Sequence, residues 1–121
     1  VDDIEPVEDR LDRISVEGSR HRPDGFELKW RQVGVKGLMA DPQLPFFIEW
    51  LTPDEHPSQS GASDVALCCL QIAGDPQRVR EWCGVAADYV PNTLTFDFVA
   101  PHGTPGLLAC TFDTPQGRVT I

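Results

Sequence analysis

The chain has 121 residues, enough for one domain, and a chain of this size buries roughly 65% of the surface its unfolded form exposes. Nineteen acidic against ten basic residues leave a net charge of −9. That charge repels nucleic-acid phosphates and anionic membrane surfaces over a Debye length of ~8 Å and argues against both as partners. No apolar run approaches the ~20 residues of a membrane-spanning helix, and the opening VDDIEPVEDR is acidic where a secretory leader is basic and then apolar, so a cytoplasmic location is expected. Val1 leads directly into a helix with no initiator methionine before it, from which a longer parent chain with a strand upstream is expected.

Asp3 is placed to cap a helix whose apolar positions Ile4, Val7, Leu11 and Ile14 recur at spacings of three and four, with Glu5, Glu8, Asp9 and Asp12 facing water. The spacing predicts that this helix ends near Ser15 to Gly18 and that Arg20, His21 and Arg22 follow as a short basic patch. Pro23-Asp24-Gly25 is a turn: proline fixes one dihedral, aspartate bonds locally and glycine accepts positive φ. Phe26, Leu28 and Trp30 then alternate with Glu27, Lys29 and Arg31, the period of a half-buried strand running to Val35.

A loop over Gly34 to Gln43 returns the chain to a second predicted strand, Leu44 to Leu51. In it Leu44, Phe46, Ile48 and Trp50 share one face and Phe47, Glu49 and Leu51 the other. Thr52 to Asp64 has no period and is rich in Pro, Ser, Asp and Gly, so it reads as a connector between two halves, with 58–64 as the linker proper. Val65 to Ala73 has the length of a buried strand. Asp75-Pro76 supplies an N-cap and a first-turn proline for a short helix through Val79, Trp82 and Cys83 that Gly84 terminates. Leu94, Phe96 and Phe98 mark another strand. Leu107 to Thr114 and Arg118 to Ile121 pair as a hairpin around Pro115-Gln116-Gly117.

The second half is therefore β, α and three β segments, and the first half reads as the same order without its leading strand. The four cysteines, Cys68, Cys69, Cys83 and Cys110, form no CxxC pair and no zinc-ligand spacing, and are read as reduced structural thiols.

The chemistry concentrates in LPFFIEWLTPDEHP, residues 44–57, where one carboxylate, Glu49, sits in an apolar strand and His56 follows closely. A desolvated, unpaired carboxylate costs several kcal/mol, so Glu49 calls for a partner, a proton, a ligand or a metal. Three readings stay open. An antiparallel neighbour would bring Lys29 or Arg31 opposite Glu49 as an ion pair, the favoured reading; a cavity-facing acid would serve as general base; a strand carboxylate would bind a metal. His56, between acidic neighbours in a loop, reads first as a surface or hinge histidine, and His21 and His102 as exposed or turn residues. Trp30, Phe46, Phe47 and Trp50 read first as core. An aromatic-lined cup with one acid and one guanidinium nevertheless has the form of a small-molecule site, for which Glu49, Arg31, Trp30, Phe47 and His56 are the candidates. No nucleophile elbow, phosphate-cradling glycine loop or redox CxxC is present.

The order of elements, with LPFFIEW and its following HP, the upstream RPDG and LKWR, and the closing TPQGRVTI, resembles a glyoxalase-like domain of the vicinal oxygen chelate superfamily over nearly the whole chain. The resemblance implies an α+β fold in which βαβββ-type modules form a mixed, largely antiparallel cupped sheet. The first module, 1–57, lacks its leading strand and the second is 65–121. It implies a ligand on the concave side, often with a divalent metal held by His and Glu. The missing strand would carry part of that metal set, so no cofactor is assigned here and a divalent metal is left to the full-length protein. The leading expectation is a module that binds a small organic molecule. The alternatives are a metal-dependent lyase, isomerase or dioxygenase with Glu49 as a ligand, and a structural module that forms a homodimer through an exposed sheet edge.

Overall fold

A computed structural model describes residues 1–52, 54, 64–84, 94–100 and 103–121. The predicted linker 58–64, apart from Asp64, lies outside them, as do His56 and His102. The elements run α1 (Glu5–Leu11), β1 (Val16–His21), β2 (Glu27–Val33), β3 (Phe47–Trp50), β4 (Ala66–Ala73), α2 (Pro76–Cys83), β5 (Thr95–Val99), β6 (Gly106–Thr114) and β7 (Gly117–Thr120). They form an α+β fold with two open sheets, ordered β1-β2-β3 and β5-β4-β6-β7. The chain divides into two compact units, one of Val1–Lys36 with Phe46–Ala62 and one of Gly37–Pro45 with Ser63–Ile121. Among the described residues no helix is long and apolar enough to cross a membrane.

In the first unit the spacing of Ile4, Val7 and Leu11 does what periodicity predicts. Ile4 and Val7 are buried with Val33, and Leu11 and Phe47 pack against them. The helix is shorter than expected. Asp12 adopts the left-handed conformation at φ 49° and its N–H closes on the Glu8 carbonyl, while the Glu8 carboxylate accepts from the Ser15 N–H at 2.6 Å and turns the chain outward. Ile14 is thereby left 89% exposed, and most of the predicted helix end and basic patch, from Val16 to His21, belongs instead to β1. Asp3 accepts from the Glu5 N–H at 3.0 Å, one residue ahead of the N-cap position, which Ile4 occupies without a side-chain bond.

The β1–β2 hairpin closes at the expected turn. Arg22 donates to the Phe26 carbonyl at 2.9 Å, Gly25 donates to the Arg22 carbonyl at 2.9 Å, and Gly25 takes φ 86°. Antiparallel pairing then sets Arg31 opposite Glu49, Trp30 opposite Trp50 and Val33 opposite Phe47.

The second unit shows the helix that the sequence announces. Asp75 accepts from the N–H groups of Gln77 at 2.9 Å and Arg78 at 3.3 Å, Pro76 opens α2, and Gly84 ends it at φ 68°. Because α2 carries the chain back across the sheet, β4 and β5 are parallel, whereas β6 and β7 pair antiparallel.

Leu44 departs from its predicted strand. It is buried with Ile72 and Val79 in the core under α2, and β3 begins only at Phe47. Pro45, with no N–H to give a ladder, accounts for the break. Gly37–Pro45 is tied to α2 by Arg78 and Asp41 at 2.6 Å, by Asp75 donating to Gln43 at 2.8 Å, and by the Trp82 indole donating to the Pro45 carbonyl at 2.7 Å.

Candidate functional site

Strand alternation divides the candidate residues of the first sheet between two faces. Arg31, Val33, Phe47 and Glu49 share the face that carries α1. There Arg31 donates through Nε at 2.7 Å and Nη2 at 2.6 Å to Oε2 of Glu49. The Glu49 side chain is 15% exposed and that of Arg31 28%, so the acid is partnered by its cross-strand cation, as the favoured sequence reading expects, with Arg31 and not Lys29. The bond from Glu49, followed by the attraction of Glu49, Glu8 and Glu5, outweighs burial and holds the Arg31 guanidinium above its ordinary pKa. Glu8 lies below the usual carboxylate range because Ser15 donates to it. Arg10 of the same helix sits over the Phe47 ring at 5.7 Å. These residues make a staple between α1 and the sheet.

Among the described residues no three His, Cys, Asp or Glu side chains converge as a metal ion needs. Arg31 engages Oε2 of Glu49, and no metal chemistry is assigned to β3.

The face away from α1 is built differently. Trp30 and Trp50 stand side by side with ring centroids 5.6 Å apart and planes tilted by 56°. The indole of Trp30 lies across Gly18, its antiparallel neighbour; a Cβ at Gly18 would come within 2.5 Å of the ring. Glycine here makes the room the indole occupies. Trp30 Nε1 donates to Gln32 Oε1 at 3.1 Å, which fixes the ring plane and leaves the Gln32 amide N–H2 as the donor that side chain can offer elsewhere.

In the second sheet the face away from α2 is polar. Gln71 donates to Asp97 at 2.8 Å, Thr111 and Thr120 hydroxyls lie 2.9 Å apart, and Arg118 pairs with Asp113 at 2.8 Å. Arg118 holds Asp113 well below its ordinary pKa.

A β-bulge between Leu67 and Cys69 adds a feature that the sequence conceals. Leu67 pairs with Phe112 and Cys69 with Thr111, so Cys68 is the extra residue. Leu67 and Leu70 keep the parity of Phe112 and Cys110, which puts both adjacent thiols on the polar face. The Cys68 thiol donates to the Thr111 carbonyl at 3.2 Å. All four cysteines are outside any disulfide and half-buried. Plain alternation would have separated Cys68 from Cys69.

Of the five sequence-derived candidates, then, Arg31, Glu49 and Phe47 come together on the helix side, Trp30 stands on the opposite face, and His56 lies outside the described residues. Gly18 and Gln32, which the sequence reading did not single out, accompany Trp30 and Trp50 on that face. The usable signal for them was the hairpin register, which sets Gly18 opposite Trp30.

An α+β fold with two open sheets and a helix against each core is the class this chain falls in. Residues 1–86 match the family model of the glyoxalase-like domain, over a stretch that takes in α1, β1 to β4 and α2. The chain belongs to the glyoxalase-like domain family, consistent with the vicinal oxygen chelate superfamily. No curated protein and no solved structure gives a significant match.

Proposed function

We propose that this glyoxalase-like domain binds a small organic molecule, and that the contact surface in the first unit is the Trp30–Trp50 pair, not the acid of β3. The observation that carries this reading is the indole of Trp30 seated over Gly18 and fixed through Gln32. A side chain packed only to fill space needs no such preparation, whereas a flat aromatic surface beside a polar donor suits a ligand with a planar or apolar portion. Arg31, Glu49 and Phe47 support the surface from behind by fixing β2 against β3 under α1.

A panel of aromatic aldehydes, thiol adducts and aromatic acids, followed by tryptophan fluorescence and thermal melting, tests the proposal. A ligand at one hundred times its Kd stabilises a folded protein by about 2.7 kcal/mol. A binder should quench emission and raise Tm in the parent protein, and do neither in Trp30→Ala. A flat response across the panel removes the reading.

A further inference from the structure

β7 forms one edge of the second sheet, whose order is β5-β4-β6-β7, and every one of its residues is exposed. The last rung of the ladder shows which of its main-chain groups are spent inward. Cys110 donates to the Ile121 carbonyl at 2.8 Å and Ile121 to the Cys110 carbonyl at 3.0 Å, so this pair exchanges both of its hydrogen bonds. Antiparallel rungs alternate between bonded and non-bonded pairs. Phe112 and Val119 are then a bonded pair, and Thr111 with Thr120 and Asp113 with Arg118 are non-bonded ones. Arg118 and Thr120 therefore aim their N–H and C=O groups away from β6, along the outer edge. The other edge strand of this sheet, β5, is half-buried at three of its five residues, and the exposed edge strand β1 carries Glu17, Arg20 and His21, charges of the kind that oppose pairing. β7 has one charged residue, Arg118, and Asp113 pairs with it at 2.8 Å. On the face shared with Leu67 and Phe112, Val119 and Ile121 are 48% and 75% exposed.

We propose that β7 pairs antiparallel with β7 of a second copy of this chain, about a two-fold axis through Val119, so that two four-stranded sheets become one. Arg118 of each copy then exchanges main-chain hydrogen bonds with Thr120 of the other, and Val119 stands opposite Val119. Charge selects this axis. Centring the pair on Arg118 would set two guanidiniums directly opposite each other, which is repulsive, and centring it on Thr120 would carry Arg118 past the end of the facing strand and leave its outward groups unused. With Val119 at the centre, each guanidinium stays on its own Asp113 and faces the neutral side chain of Thr120. The apolar row Leu67, Phe112 and Val119 runs on across the axis into the same residues in reverse order, covering surface at Val119. The complementarity is thus of the edge with itself, which is why the occupant is a second copy and not a foreign strand. The net charge of −9 on each copy opposes approach over long range, but at physiological salt it is screened beyond ~8 Å.

Sedimentation equilibrium at physiological salt, from about 10 μM to about 1 mM protein, should show a reversible monomer–dimer equilibrium. Thr120→Pro removes an outward N–H from each copy and no bond to β6, and Val119→Lys sets two ammonium groups opposite each other. Each should weaken association by at least about tenfold while the far-UV circular dichroism stays that of the parent. Residues facing each other in a non-bonded antiparallel pair have Cα atoms about 4.5 Å apart, within reach of a disulfide. Val119→Cys, oxidised by diamide, which takes up the two thiol hydrogens, should therefore crosslink two copies at least about tenfold faster than the parent with its own four cysteines does. A strict monomer at about 1 mM would overturn the proposal. So would a dimer indifferent to both Thr120→Pro and Val119→Lys, which places the contact elsewhere, or one in which Val119→Cys crosslinks no faster than the parent.

Discussion

From the helix onward both units run through three strands, and they pair them differently. After its helix the first continues β1-β2-β3 as a meander, each strand beside the next. The second runs β4-α2-β5-β6-β7, but β5 pairs in parallel with β4, and β6 takes the opposite side of β4. After the helix the two units share a succession of strands and not their neighbours. A short turn such as Pro23-Asp24-Gly25 forces adjacent strands together, whereas a helix such as α2 lets a strand return at either edge. Local chemistry fixes the succession; tertiary packing decides the neighbours.

Each unit rests on a small core beneath its helix, and the largest effects should come from there. Ile4 is fully buried in the first and Ile72 6% exposed in the second. Ile4→Ala and Ile72→Ala should each cost about 2 to 5 kcal/mol in urea unfolding. A loss under about 1 kcal/mol at either site would mean that its unit is not organised around the cluster described.

The glycines sharpen the contrast. Gly18→Ala drives a methyl into the Trp30 ring and should cost about 1 to 3 kcal/mol. Gly106→Ala in β6 meets only Pro42, at 3.8 Å, and should fall within about 0.5 kcal/mol of the parent. Equal effects would remove the argument that Gly18 serves the indole.

The helices differ in a smaller way. α2 has a side-chain cap and α1 has none at its N-cap position, so Asp75→Ala should cost about 1 kcal/mol. Ile4 is excluded from that comparison because its loss is a core effect. Thermal unfolding of Asp75→Ala unchanged from the parent would show that the cap does not contribute.

Acid should act on both units. In the first, Glu8 is lowered by Ser15, Asp24 by the Phe26 N–H and then Arg22, and Glu27 by Ser19 and then Lys29. In the second, burial pushes Asp41 up but the bonds from Gln43 and Arg78 outweigh it, and Arg118 lowers Asp113. Folded-state pKa values below the unfolded ones mean that the unfolded chain takes up protons first. The stabilisation is therefore complete above about pH 5 and lost as pH falls through about 4 and below. The urea midpoint should be level from pH 7 to about 5 and fall beneath that, with a shallower fall in Asp113→Asn. A midpoint independent of pH down to 3 would contradict these pairings.

Much of this fold could be read from residues alone. Asp75-Pro76 and Gly84 delimit α2 because capping chemistry is local, and alternation in 27–33 already put Trp30 and Arg31 on opposite faces. Other features had no local signal. A non-glycine residue, Asp12, ends α1 in the left-handed conformation, and Leu44 leaves its apparent strand for a core under α2. The bulge at Cys68 arises from register with β6, 43 residues away. The candidate site was half legible: the Arg31–Glu49 partnership follows from cross-strand chemistry, but grouping Trp30 with Glu49 joined residues that alternation along β2 and its register with β3 point apart.

That separation of faces is the central claim, and the direct measurement is binding of the strongest aromatic-aldehyde or thiol-adduct ligand to Trp30→Ala and Glu49→Gln, each checked for folding. Affinity should fall by at least about tenfold in Trp30→Ala and stay within about twofold in Glu49→Gln. Loss of binding in Glu49→Gln with full binding in Trp30→Ala would contradict the account and return the site to the acid of β3.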